Sequence, residues 1–167
     1  LNDDHSIKNF NQLIQTNLVL LTNHYPSQMT QMLCKRFFNE ESGIKQKFDI
    51  LNVLEQSCEM VSGFSINTKI PKQNRLHLFL DNIVFRMLYY LKEQTIDNLI
   101  KSKDFSNLIA KFLIVLSKII KFSENSPTIY KTLFESYNLF ESICKKNISD
   151  DIVIIDSLNF YIGVIYK

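Results

Sequence analysis

Along almost its whole length this chain places apolar residues at steps of three and four, the spacing that lines one face of an α-helix. Every periodic segment runs at that step, so the pattern predicts an all-α domain with essentially no strand. Turn residues agree. The 167 residues contain only three glycines and three prolines, whereas an all-β domain of this size would need many of both. Ala110 is the sole alanine, which removes the strongest helix former, so packing rather than intrinsic propensity must hold these helices.

The segments can be placed from their start and stop signals. Ile7, Phe10, Leu13, Ile14, Leu18 and Leu21 define the expected inward face of a first helix, with Ser6 as N-cap and an end near Asn23. Pro26 opens a second helix carrying Met29, Met32, Leu33, Phe37 and Phe38 inward. Glu40 to Gly43 turns the chain. A third helix presents Ile44, Phe48, Leu51, Leu54, Cys58 and Val61 and stops at Gly63, the residue type favoured at a left-handed helix end.

Residues 65–74, with Pro71, read as the longest irregular connection. A helix apolar on two sides follows, with Leu76, Phe79, Leu80, Ile83, Val84, Met87, Leu88 and Leu91 on one face and Leu78, Phe85 and Tyr89 on the other. A short segment around Ile96, Leu99 and Ile100 leads to Asp104. That residue caps a helix whose inward set is Phe105, Leu108, Ile109, Phe112, Leu116, Ile119 and Ile120. Ser126-Pro127 opens another through Leu133, Phe134, Tyr137, Phe140 and Cys144. The last starts at Ser149, with Asp150 and Asp151 near the positive end of its dipole.

Six to seven helices joined by short turns fit a bundle or an α-solenoid of antiparallel hairpins, and pairs recurring at roughly 40 residues favour the HEAT-like solenoid. With 46% apolar and 22% charged residues, residues 1–167 are expected to form one soluble helical-repeat domain. The chain begins at Leu1, shows no signal peptide and no membrane-length apolar run, and reads as a fragment of a longer solenoid protein.

Catalytic signals are missing from the sequence. His5, His24 and His77 have no His or carboxylate at metal-binding spacing, and Cys34, Cys58 and Cys144 form no C-x-x-C pair. These thiols are expected to be reduced core residues. Gly43, Gly63 and Gly163 cannot build a phosphate-cradling loop, and no G-x-S-x-G stands anywhere. Asp49 and Asp81 read as members of surface ion pairs. The chain is therefore expected to have no enzymatic activity, no cofactor and no metal. A net charge of +2 is too small to argue for nucleic acid or membrane. Lys111, Lys118 and Lys121 share a helix, and Lys145-Lys146 end another; a solvated basic face explains them.

One stretch goes beyond periodicity. "SGIKQKFDILNVLEQSCEMVSGF", Ser42 to Phe64, resembles the conserved C-terminal region of the telomere length regulation protein family. Its matching positions are Gln46-Lys47, Ile50-Leu51 and Glu59-Met60-Val61-Ser62-Gly63, with Lys47 standing where the family usually has Arg. Downstream, "LFLDNIVFRML" from Leu78 to Leu88 resembles the family's Phe-rich helix, and "SENSP" from Ser123 to Pro127 resembles its Asn-x-Pro turn.

The resemblance implies an α-solenoid scaffold that joins two other HEAT-repeat subunits in the Triple T complex. With the Hsp-ninety machinery, engaged indirectly, that complex matures and stabilises phosphatidylinositol-3-kinase-related kinases in cytoplasm and nucleus. No membrane is expected as a partner. The family's telomere name leaves a telomeric-DNA-binding helical domain as the alternative, although nucleic acid is not the expected partner.

The last helix supplies the candidate contact. Ile154, Ile155, Leu158, Tyr161, Ile162 and Ile165 form its expected core stripe, while Val153, Phe160 and Val164 form a second one. The terminal helix of a solenoid is normally polar outside. Val153, Phe160 and Val164 are therefore either covered by neighbouring chain or exposed as a protein contact.

Overall fold

The computed structural model describes residues 3–63, 76, 103–123, 128–144 and 152–165. These residues form six helices and, among them, no strand: α1 (Asp3–His24), α2 (Pro26–Phe37), α3 (Ile44–Ser62), α4 (Lys103–Phe122), α5 (Ile129–Cys144) and α6 (Ile152–Ile165). The all-α reading holds. The expected helix over Leu76–Leu91, the loop around Pro71, the Ser126-Pro127 opening and the Ser149 start lie outside the described residues, Leu76 excepted.

Local signals account for the ends of α2 and α3. Pro26 stands at the start of α2, where its missing N–H costs nothing. At the far end, Ser42 Oγ donates to the Arg36 carbonyl at 2.7 Å, and Asn39 Oδ1 accepts from the Glu41 amide at 2.9 Å. The turn thus satisfies a carbonyl that the helix itself leaves open. Gly63 closes α3 at φ 74°, the left-handed conformation that a Cβ penalises. Two expected caps shift instead. Ser6 and Asp104 both lie just inside helices that begin at Asp3 and Lys103.

Among the described helices α4 is the central one. Leu108, Phe112, Leu113, Val115, Leu116 and Ile119 are all buried, so the helix is enclosed on more faces than one stripe would allow. It packs against α3 on one side and α6 on the other, while α1 and α2 pack on α3. Helix α5 lies against α6 and α4. The buried apolar residues join into one cluster running from Val19 through Leu33, Leu51 and Phe112 to Tyr161. Phe37 reaches across from α2 to Phe112, ring centroids 6.0 Å apart. Small buried residues, Ser57 and Cys58 on α3 and Ser106, Ala110 and Ser117 on α4, leave the backbones room to approach.

Hydroxyls in this core are largely satisfied within their own helices. Thr22 donates to the Leu18 carbonyl at 2.7 Å, Thr30 to Pro26 at 2.6 Å and Ser117 to Leu113 at 2.6 Å. A Ser or Thr buried this way brings its own partner, so it can replace an apolar residue on a packed face.

Two expected helix faces are borne out only in part, at Leu18 on α1 and Leu133 on α5. On α1 the packed side is Leu18, Val19 and Thr22, and Phe10, Leu13, Ile14 and Leu21 are exposed, Phe10 by 62%. On α5 Thr132, which donates to the Thr128 carbonyl at 3.1 Å, and Ser136, whose Oγ makes no hydrogen bond, are buried, with Leu133 half-buried, and Phe134 and Tyr137 are exposed beside Tyr130. On α1 the side with fewer large apolar groups turns inward; on α5 the side chains of Phe140 and Cys144 lie outside the described residues.

Candidate functional site

Two features of the described residues expose apolar surface: a groove on α1, α2 and α3, and the outer side of α6. The groove holds about 440 Å³ and is lined by Ile14, Leu18, Met32, Leu33, Ile50 and Val53, with Arg36, Lys45, Gln46 and Asp49 at its edge. Leu33, Ile50 and Val53 form a buried floor, while Ile14 and Met32 are exposed walls. Helix α1 reaches α3 near this groove through a 3.4 Å hydrogen bond from Gln15 Nε2 to Asp49 Oδ1. Asp49 therefore accepts from an amide rather than joining the surface ion pair expected for it.

The α2–α3 corner beside the groove is held by Lys47, whose Nζ lies 6.0 Å from the centre of the Phe37 ring. Partial burial pulls the Lys47 ammonium below its usual value, opposed by the charge of Glu40. The family-like positions of α3 thus divide their work. Gln46 and Ile50 line the groove, Lys47 covers Phe37, and Leu51 enters the core.

Lys111 and Lys118 do not form a solvated basic face. Both reach Glu55 of α3, Lys111 at 3.0 Å and Lys118 still closer, so they join α3 to α4. Burial of Glu55 would raise its carboxyl, but hydrogen bonds from Lys118 and Lys111, reinforced by their charge, outweigh it and hold the group below the usual carboxylate value. Lys121 remains exposed.

On α6 the structure separates the three candidate contact residues. Phe160 is 47% exposed. Val164 is half-buried and packs against the core cluster, and the side chain of Val153 lies outside the described residues. The core face runs through Ser157, Leu158 and Tyr161. Tyr161 is fully buried and donates from its hydroxyl to the Ser136 carbonyl of α5 at 2.9 Å. Burial pushes its phenol far up, the Ser136 hydrogen bond opposing weakly.

Cys34 and Cys58 are buried free thiols. Burial, with the nearby Cys34 and Glu55, pushes the Cys58 thiol far up and keeps it from the thiolate form, which nucleophilic chemistry requires. Among the described residues no group of three His, Cys, Asp or Glu side chains could hold a metal. No helix of the described residues is long and apolar enough to cross a membrane.

The sequence reading did not single out the groove. Its floor belongs to two helices that also feed the core, and Arg36 and Lys45 stand apart in sequence on either side of a turn. The available signal was α1 itself, which carries more large apolar residues than its packed side uses.

Fold and surface together define an all-helical arrangement of the described residues with an apolar groove on α1, α2 and α3. Residues 1–58 match the model of the telomere length regulation protein family, which supports the family suggested by the Ser42–Phe64 stretch. The matched segment covers α1, α2 and most of α3, the three helices that build the groove. No curated protein and no solved structure matches the chain.

Proposed function

We propose that this chain is a protein-binding scaffold of HEAT-like solenoid type that works within the Triple T complex. There it would join two HEAT-repeat subunits and, indirectly with the Hsp-ninety machinery, serve the maturation and stability of phosphatidylinositol-3-kinase-related kinases in cytoplasm and nucleus. The observation that carries this reading is the family match over residues 1–58. Two others support it. Helices α1 with α3, and α4 with α6, pack as next-but-one neighbours among the described helices, as stacked hairpins do. Large apolar side chains also stay exposed on α1, α5 and α6, which marks protein contact more than catalysis.

Telomeric DNA is the weaker reading, because Lys111 and Lys118 are already engaged by Glu55. Phosphate contacts need free cations.

Co-expression with the two HEAT-repeat subunits, followed by gel filtration, tests the proposal. The chain should co-elute with them, and Phe160→Asp should weaken that assembly while leaving the melting temperature of the isolated chain unchanged. A wild-type chain that elutes alone would sink the scaffold reading. A fall in melting temperature with Phe160→Asp would assign Phe160 to the core.

A further inference from the structure

We propose that the groove on α1, α2 and α3 takes an amphipathic segment of a partner protein that carries a carboxylate beside its apolar anchors. This rests on the protein-binding reading above and adds where on this chain a partner sits and what chemistry it brings.

The floor is apolar and already formed, since Leu33, Ile50 and Val53 are buried in packed helices. No rearrangement is needed to open it, and a preformed pocket loses less freedom on binding. Its walls are unusual for a surface that only meets water. Met32 is 49% exposed, and Ile14 continues one turn along α1 into exposed Phe10. The apolar surface therefore extends beyond the cavity along a helix axis, a shape that suits an extended or helical segment better than a small compact ligand.

Charge decides the partner's polarity. Arg36 and Lys45 stand at the edge, both exposed, and the ion pairs of the described residues involve other lysines, Lys111 and Lys118. The one acidic group at the edge, Asp49, is held by Gln15. An occupant with apolar side chains in the groove would find two cations flanking it, and an Asp or Glu next to its anchors would complete the contact. An Arg guanidinium presents paired donors that suit a carboxylate.

The test is selection from a phage-displayed library of random peptides against the full chain, followed by affinity measurement on the enriched sequences. Enriched peptides should combine apolar residues at helical spacing with at least one Asp or Glu. Their dissociation constants should rise tenfold or more in Met32→Glu and in the double variant Arg36→Glu, Lys45→Glu. Phe134→Glu on exposed α5 should leave them unchanged. Thermal melts of each variant separate lost binding from lost folding, and the double variant alters only exposed positions. Failure to enrich any peptide, enrichment of peptides without carboxylates, or binding that survives the charge reversal overturns the proposal. Because the selection uses no Triple T subunit, such a failure in a chain that still co-elutes with those subunits removes the groove and leaves the scaffold reading standing.

Discussion

Tyr161 is the largest fully buried side chain among the described residues, and its hydroxyl is tied to the Ser136 carbonyl. Tyr161→Phe keeps the ring and removes one hydrogen bond, so it should lower stability by about 1 kcal/mol, read as a shift in urea midpoint with unchanged slope. Glu55 gives a prediction with a pH signature. Its carboxyl is held below the usual value in the folded chain, so its contribution is present above the unfolded carboxyl pKa. That contribution fades as pH falls through the lower folded value. At neutral pH Glu55→Gln should cost about 1–2 kcal/mol, discounted because both lysines are partly exposed. Melting curves of the two proteins should converge as the pH is lowered into the acid range, and a gap that stays constant with pH would show that the ion pairs do not stabilise the α3–α4 contact.

At the scale of the element, α3 is where the pattern of residues and the packing agree. Leu51, Leu54, Cys58 and Val61 were expected inward and all are buried, joined by Ile50, Val53 and Ser57 because α3 meets α1 and α2 on one side and α4 on the other. Leu51→Ala or Leu54→Ala should cost roughly 2–5 kcal/mol, as large-to-small changes at closed sites do. An unchanged denaturation midpoint would place them on the wrong face. Helices α1 and α5 behave differently, since Phe10, Leu13, Ile14 and Leu21 on α1 and Phe134 and Tyr137 on α5 face outward while Thr22, Thr132 and Ser136 are enclosed beside Leu18, Val19 and Leu133. The same kind of periodicity therefore pointed to the core on α3 and only in part to it on α1 and α5.

For the whole molecule, the consequence is that α1 can be altered on its apolar side without unfolding the core. Phe10→Asp should change stability by less than about 0.5 kcal/mol, as substitutions at exposed positions generally do. A loss of several kcal/mol in chemical denaturation would mean that the exposed stripe is covered within the chain. Its neighbours in the fold, Val19 and Thr22, are the ones whose replacement should be felt.

Helical class, the α2 start at Pro26, the turn at Glu40–Gly43, the α3 stop at Gly63 and the buried thiols Cys34 and Cys58 were all legible in the sequence. Each depends on backbone geometry or on a single residue's own preference, which neighbours in the chain determine. The resemblance to the telomere length regulation protein family was legible too, and the family match over residues 1–58 includes Gln46-Lys47 and Ile50-Leu51 of that stretch. Only the tertiary structure decided which side of α1 and α5 is enclosed, that Lys111 and Lys118 belong to Glu55, and that Arg36 and Lys45 meet at one groove. An amphipathic stripe records that a face avoids water, but not what covers it. That depends on where another helix arrives from far along the chain, and a Ser or Thr able to bond its own helix backbone can be buried there as readily as a leucine.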